Sequence, residues 1–165
     1  MKLKYIILAG LAVAIGIVAA VILLPSEEKR VKKPFRLLSD FASKDKEENL
    51  LATARRAQNI GALFAEKVEF KTNLAPFSGT LTPEEISGYA ARGRSLFSTF
   101  DLKFYDFEIQ FPEERTAVVT LTARAKGKLL SGELLNETHE VECQLTKGGS
   151  KWLFDRFEMV EVLKR

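Results

Sequence analysis

The chain of 165 residues carries one histidine and one cysteine. Both fall in an alternating stretch where His139, Val141, Cys143 and Leu145 share a face, since strand side chains repeat every second residue. An imidazole placed there can move a proton near neutral pH. The phenols that can share an interior with it are those of Tyr89 and Tyr105. His139 with Tyr105 or Tyr89 is the one dyad that the residue types offer, and no carboxylate is available to complete it. Asp106 stands with Glu108 and Gln110 and is expected to point outward. The plainer reading of the same residues is a hydrogen-bonded strand histidine and core tyrosines, because a histidine without an orienting acid completes no catalytic set. Cys143 reads as a small buried hydrophobe rather than a nucleophile. One cysteine excludes an internal disulfide and a cysteine-rich zinc site, and one histidine excludes a multi-histidine centre. The chain has no Gly-rich phosphate loop, no paired-carboxylate motif and no metal-ligand spacing, so neither metal nor cofactor is expected. Asn136-Glu137-Thr138 matches a glycosylation sequon, a match that chance explains.

The elements that must hold these groups follow from periodicity. Pro34 suits a first helical position, with Phe35, Leu38 and Phe41 as its apolar stripe. Ser43 or Asp45 can cap a helix over about 46–66, whose apolar face holds Leu50, Ala54, Ala57, Gly61, Phe64 and Ala65. A short strand over 67–72 and a loop over 73–81 come next. Thr82-Pro83-Glu84-Glu85 is a helix start with a capping box. That helix runs to about Phe97 and turns Ile86, Tyr89, Ala90 and Leu96 toward the core. From Lys103 the period becomes two, with Tyr105, Phe107, Ile109 and Phe111 on one side. Strands follow over 116–126, 133–146 and 151–163, the last with a slip near Asp155-Arg156 that suggests a bulge. The order of elements is that of an α+β domain with helices on one face of a curved antiparallel sheet. Most of the aromatic residues serve the core. Phe64, Phe97, Tyr105, Phe107, Trp152 and Phe154 are those placed to line a pocket.

The N-terminus reads differently. Residues 5–24 are uncharged and free of proline. A helix of that length spans the roughly 30 Å of a bilayer's hydrocarbon. The rival reading is a cleaved signal peptide ending at Val18-Ala19-Ala20, but this would leave Val21-Ile22-Leu23-Leu24 as an apolar new terminus. An uncleaved transmembrane signal-anchor over 1–24 is therefore expected. Its short basic tail would stay inside and its domain outside, as in a bacterial inner-membrane protein with a periplasmic domain. Counting Lys and Arg on the two flanks favours the opposite orientation. Residues 25–43 are expected to be a basic tether with a short helix. Positions 25–36 hold five basic and two acidic residues and show no apolar period. Positions 37–165 hold 18 basic and 20 acidic residues, so the sequence pI near 9.0 belongs to the anchor and tether and is no sign of nucleic-acid binding. A composition 46% hydrophobic and 28% charged is that of a folded protein.

The element order, with the Thr-Pro-Glu-Glu helix and the closing hairpin Gly148-Gly149-Ser150-Lys151-Trp152-Leu153-Phe154, resembles the nuclear transport factor 2-like superfamily, also called SnoaL-like or cystatin-like. The likeness covers about residues 44–165. It implies a sheet wrapped around a long helix as a cone, whose open end is often a small-molecule pocket. It also implies a wide choice of uses, among them isomerases, dehydratases and assembly domains. With an anchor and without a complete catalytic set, the expectation is a membrane-anchored, non-catalytic binding or assembly module. Its expected partners are membrane lipid, an unidentified protein, and a second copy through the sheet face of Thr116, Val118, Thr120 and Thr122. The alternative is an isomerase- or dehydratase-like cone that binds a small apolar ligand.

Overall fold

The computed structural model describes residues 26–45, 48–71 and 79–160. The expected transmembrane segment lies outside them. Among the described residues no helix is long and apolar enough to cross a membrane.

The first described helix, α1 (Glu27–Ala42), corrects the expected tether. Ser26 caps it by accepting from the Lys29 amide, and Glu27 and Glu28 sit in its first turn, where the helix dipole favours negative charge. Pro34 therefore lies inside the helix rather than at its start. An interior proline costs about 3 kcal/mol. Val31, Phe35 and Leu38 recur at three- and four-residue steps on one face, and all are buried. Each contributes about 1.5–3 kcal/mol on burial, enough to carry the helix through the proline.

Helix α2 (Leu50–Gly61) is shorter than the expected 46–66. Asn49 is its cap, accepting from the Ala52 amide at 2.8 Å. Leu50, expected on the apolar face, is exposed with Leu51, while Ala57, Ile60 and Gly61 are buried. Gly61 is required by close approach, since a Cβ there would lie 2.5 Å from the Pro83 carbonyl oxygen. The chain leaves the helix early because β1 (Phe64–Lys71) joins the sheet, where the Phe154 amide donates to the Leu63 carbonyl.

Strand β2 (Gly79–Leu81) leads to α3 (Pro83–Leu96), and the expected capping box between Thr82 and Glu85 is present. Four long strands follow, β3 (Phe97–Glu113), β4 (Thr116–Leu129), β5 (Leu134–Gly148) and β6 (Lys151–Val160). The six-stranded sheet has the order β2-β1-β6-β5-β4-β3, with β1 and β6 as its parallel pair. The β5–β6 turn uses Gly149 at φ 63°, a conformation that costs glycine little. Asp155 is the extra residue of a bulge, since Gln144 faces Arg156 while Leu145 faces Phe154.

The core lies between α1 and the concave face of this sheet. Ala117, Val119 and Leu121 of β4, Val141, Cys143 and Leu145 of β5, and Trp152 and Phe154 of β6 line the sheet side. Phe35 stands at the centre. The rings of Phe104, Phe107 and Phe154 meet it edge-on at 5.5, 5.3 and 4.8 Å. Aromatic pairs of this geometry add about 0.5–1.5 kcal/mol beyond area burial.

Candidate functional site

A hollow of about 1080 Å³ opens alongside α1. Its apolar lining includes Phe35, Leu37 and Phe41 of α1, Leu63 after α2, Phe104 and Phe107 of β3, and Trp152 and Leu153 of β6. Lys29, Arg30, Lys32, Lys33 and Arg36 of α1, Lys103 of β3 and Lys151 of β6 complete the rim. The side of the hollow is built by a bulge. Within β3, Phe104 pairs with Ala123 and Tyr105 with Thr122, yet Glu108 pairs with Thr120. Asp106 absorbs the irregularity at φ 55°. As a result Phe104, Phe107 and Ile109 all pack against the core, which unbroken alternation forbids.

Asp106 thereby separates Tyr105 from the neighbours expected beside it. Tyr105 borders the hollow from the sheet's edge strand, and its hydroxyl accepts from Arg124 Nη2 at 2.6 Å. The Arg124 guanidinium lies 5.0 Å from its ring centre. His139 faces Ala123 across the β4–β5 ladder, on the same side as Phe104, whereas Tyr105 and Thr122 share the other side. The His139 imidazole lies 3.2 Å from Glu137, remains partly exposed and does not line the hollow. Tyr89 is exposed on α3, with Arg92 5.6 Å over its ring, and corrects the expectation of an inward tyrosine. The dyad of His139 with Tyr105 or Tyr89 is thus not assembled.

Of the aromatics placed to line a pocket, Tyr105, Phe107 and Trp152 border the hollow. Phe154 and Phe64 lie in the core behind it, 5.2 Å apart. Phe97 packs on Phe100 at 4.9 Å, away from the lining. The contributors missed from sequence are those of α1, above all Phe35 and the lysines. The signal was present in the spacing of Val31, Phe35 and Leu38, across the boundary drawn between tether and domain.

A polar latch joins the start of α1 to the β5–β6 hairpin. The Trp152 indole donates to Glu27 Oε2 at 3.1 Å, and Lys147 Nζ donates to Oε1 at 3.2 Å. The Trp152 bond, with Lys147 beside it, holds the Glu27 carboxyl below its ordinary pKa. Glu27 stays ionised at neutral pH and fixes the start of α1 to the β5–β6 hairpin. Burial pushes the Cys143 thiol well up, and Glu142 adds to the effect. It is therefore a protonated core group with no nucleophilic part in the site.

Among the described residues the lining of the hollow contains no Asp, Glu or His. Proton transfer to a bound molecule would fall to Tyr105 or to a lysine, and the groups otherwise suit binding. Among the described residues no cluster of three His, Cys, Asp or Glu side chains can hold a metal ion.

No family model and no curated protein matches the chain. Solved structures do share its fold. A scytalone dehydratase candidate from Novosphingobium aromaticivorans is 16% identical, with a TM-score of 0.65 over 83% of this chain and 85% of that one. The type 3 LinA hexachlorocyclohexane dehydrochlorinase from Novosphingobium barchaimii is 9% identical, with a TM-score of 0.64 over 82% and 86%. A candidate calcium/calmodulin-dependent protein kinase II association domain from Xanthomonas campestris is 11% identical, with a TM-score of 0.64 over 87% and 93%. At such identities the likeness is one of fold, and the fold admits several uses. The expectation of a non-catalytic binding or assembly module is corrected by the dehydratase and dehydrochlorinase neighbours, and by the open hollow alongside α1. Helices packed on a curved sheet, in this element order, make the chain's fold an α+β cone shared with these solved structures.

Proposed function

We propose that the domain is a small-molecule-binding cone whose ligand sits in the hollow beside α1. The observation that carries this is the hollow itself, just above the roughly 300–1,000 Å³ typical of ligand sites and walled by aromatic and aliphatic side chains. The dehydratase and dehydrochlorinase neighbours support it, because their names record action on small organic molecules. Trp152 is the chain's one tryptophan and lines the hollow, so its fluorescence reports occupancy. Titration of the full chain with the neutral apolar dye N-phenyl-1-naphthylamine should give saturable energy transfer from Trp152 with one site. A linear rise without saturation would count against the proposal.

The reading retains the expectation that residues 5–24 tether this cone to a bilayer, with the domain on the outer side of a bacterial inner membrane. The full chain should then stay with the membrane pellet after an alkaline carbonate wash, and externally added protease should digest the domain in spheroplasts. Recovery of the intact chain in the wash would remove the anchor. Protection from the protease would reverse the orientation.

A further inference from the structure

We infer that the hollow takes an anionic amphiphile, a molecule with one apolar chain or ring system and a carboxylate or phosphate head. This rests on the reading of the hollow as a ligand site and adds the ligand's charge and shape. Among the described residues seven basic ones line the hollow and no acidic one does. Five of the seven belong to the basic stretch 25–36, and Lys103 and Lys151 join them from β3 and β6.

Three of the cations already have partners. Arg30 pairs with Glu27 at 3.0 Å, Lys103 pairs with Asp101 at 3.2 Å, and the Lys32 ammonium lies 5.3 Å from the centre of the Phe107 ring. Lys29, Lys33, Arg36 and Lys151 have no carboxylate within salt-bridge distance among the described residues. Lys29, Lys33 and Arg36 follow one another at four- and three-residue steps, so their charges lie on one strip of α1 and repel. An anion at the mouth relieves that repulsion and gains charge-assisted hydrogen bonds.

The apolar lining that stays partly exposed is Leu37, Phe41, Phe104, Phe107 and Leu153. They offer an apolar body contact area and few polar partners. A sugar or nucleotide would leave hydroxyl groups against aromatic carbon, which is unfavourable. A single charged head on an apolar body fits both zones.

The test uses the full chain in phosphatidylcholine vesicles, with 9,10-dibromostearate as a contact quencher of Trp152 and its methyl ester as the uncharged twin. Saturable quenching by the acid at a concentration at least tenfold below that needed for the ester is expected. The combined variant Lys29→Gln, Lys33→Gln, Arg36→Gln should weaken the acid about tenfold and leave the ester unchanged. These side chains are exposed, so the fold is kept. Equal quenching by acid and ester, or an unaffected variant, overturns the charge assignment and leaves the hollow a neutral-ligand site. Saturable quenching by neither overturns the ligand-site reading itself. Dodecanoate and dodecyl phosphate as competitors separate the two heads: displacement by either supports an anionic head and names it, and displacement by neither overturns it.

Discussion

Phe35→Ala is expected to remove about 3–5 kcal/mol of stability, the range for truncating a buried phenylalanine. The large value is argued from its surroundings. Phe35 is fully buried, and three aromatic rings from two strands meet its edges and faces. Those rings belong to a sheet paired along its whole length, so they cannot collapse far into the void. Domains are typically stable by about 5–15 kcal/mol, so the variant would sit near its unfolding threshold. Urea denaturation followed by Trp152 fluorescence measures the loss, with exposed Arg36→Ala as the control expected within about 0.5 kcal/mol. A loss below about 1 kcal/mol for Phe35→Ala, far under the cavity range, would mean that α1 is not docked in the cone.

Arg94→Met should cost about 3–5 kcal/mol, the range for breaking a buried ion pair on one side. Arg94 is a buried charged side chain on α3. Its Nη1 donates to the carbonyls of Phe41, Ala42 and Ser43 at 2.5, 2.6 and 3.2 Å. Those oxygens end α1, where the dipole is negative and no intrahelical donor remains. Its Nη2 donates to Glu48 at 2.6 Å. Methionine fills much of the same space but leaves the carbonyls without that donor and, among the described residues, Glu48 with its 3.2 Å partner Arg56 alone. The lower half of the range is expected for that reason. Arg94→Lys should recover a minority of the loss, because one ammonium cannot span carbonyls and carboxylate together. Adding Glu48→Gln to Arg94→Met should recover part of it by removing the stranded charge. Strict additivity of the two substitutions would show that they do not interact.

Neither prediction could be made from the sequence. Arg94 reads as one more polar residue on a helix whose apolar face is weak. Its burial follows from where α1 ends, some fifty residues earlier in the chain. Phe35 was visible as an apolar position, but with Pro34 taken as a helix start it belonged to a short appendage. The preceding turn, Ser26 to Val31, was hidden under a run of charges that marks a solvated spacer. A buried stripe of three residues outweighs one proline, and that comparison needs the sheet that buries them.

The site shows the same division. Trp152 and Phe107 were identifiable as aromatics on alternating strands, and both border the hollow. Tyr105 was placed with Phe107 by period, and the bulge at Asp106 separated them. One residue of slip moves a side chain to the other face of a sheet, and no local signal at Phe104-Tyr105-Asp106 announces it. The catalytic dyad failed for that reason on the Tyr105 side. On the Tyr89 side it failed because α3 turns that ring to solvent.

Local chemistry is what the sequence by itself determined. Thr82-Pro83-Glu84-Glu85 specifies a helix start through hydrogen bonds three residues apart. Alternation specifies four long strands, and a single cysteine and histidine exclude whole classes of centre. The tertiary structure decided everything that depends on distant partners. It made Glu27–Ala42 a core helix, paired β1 with β6 in parallel, and gathered the cations of α1, β3 and β6 around one aromatic-walled hollow. Burial, register and the meeting of charges are properties of surfaces brought together from far along the chain, and their energies exist only once those surfaces touch.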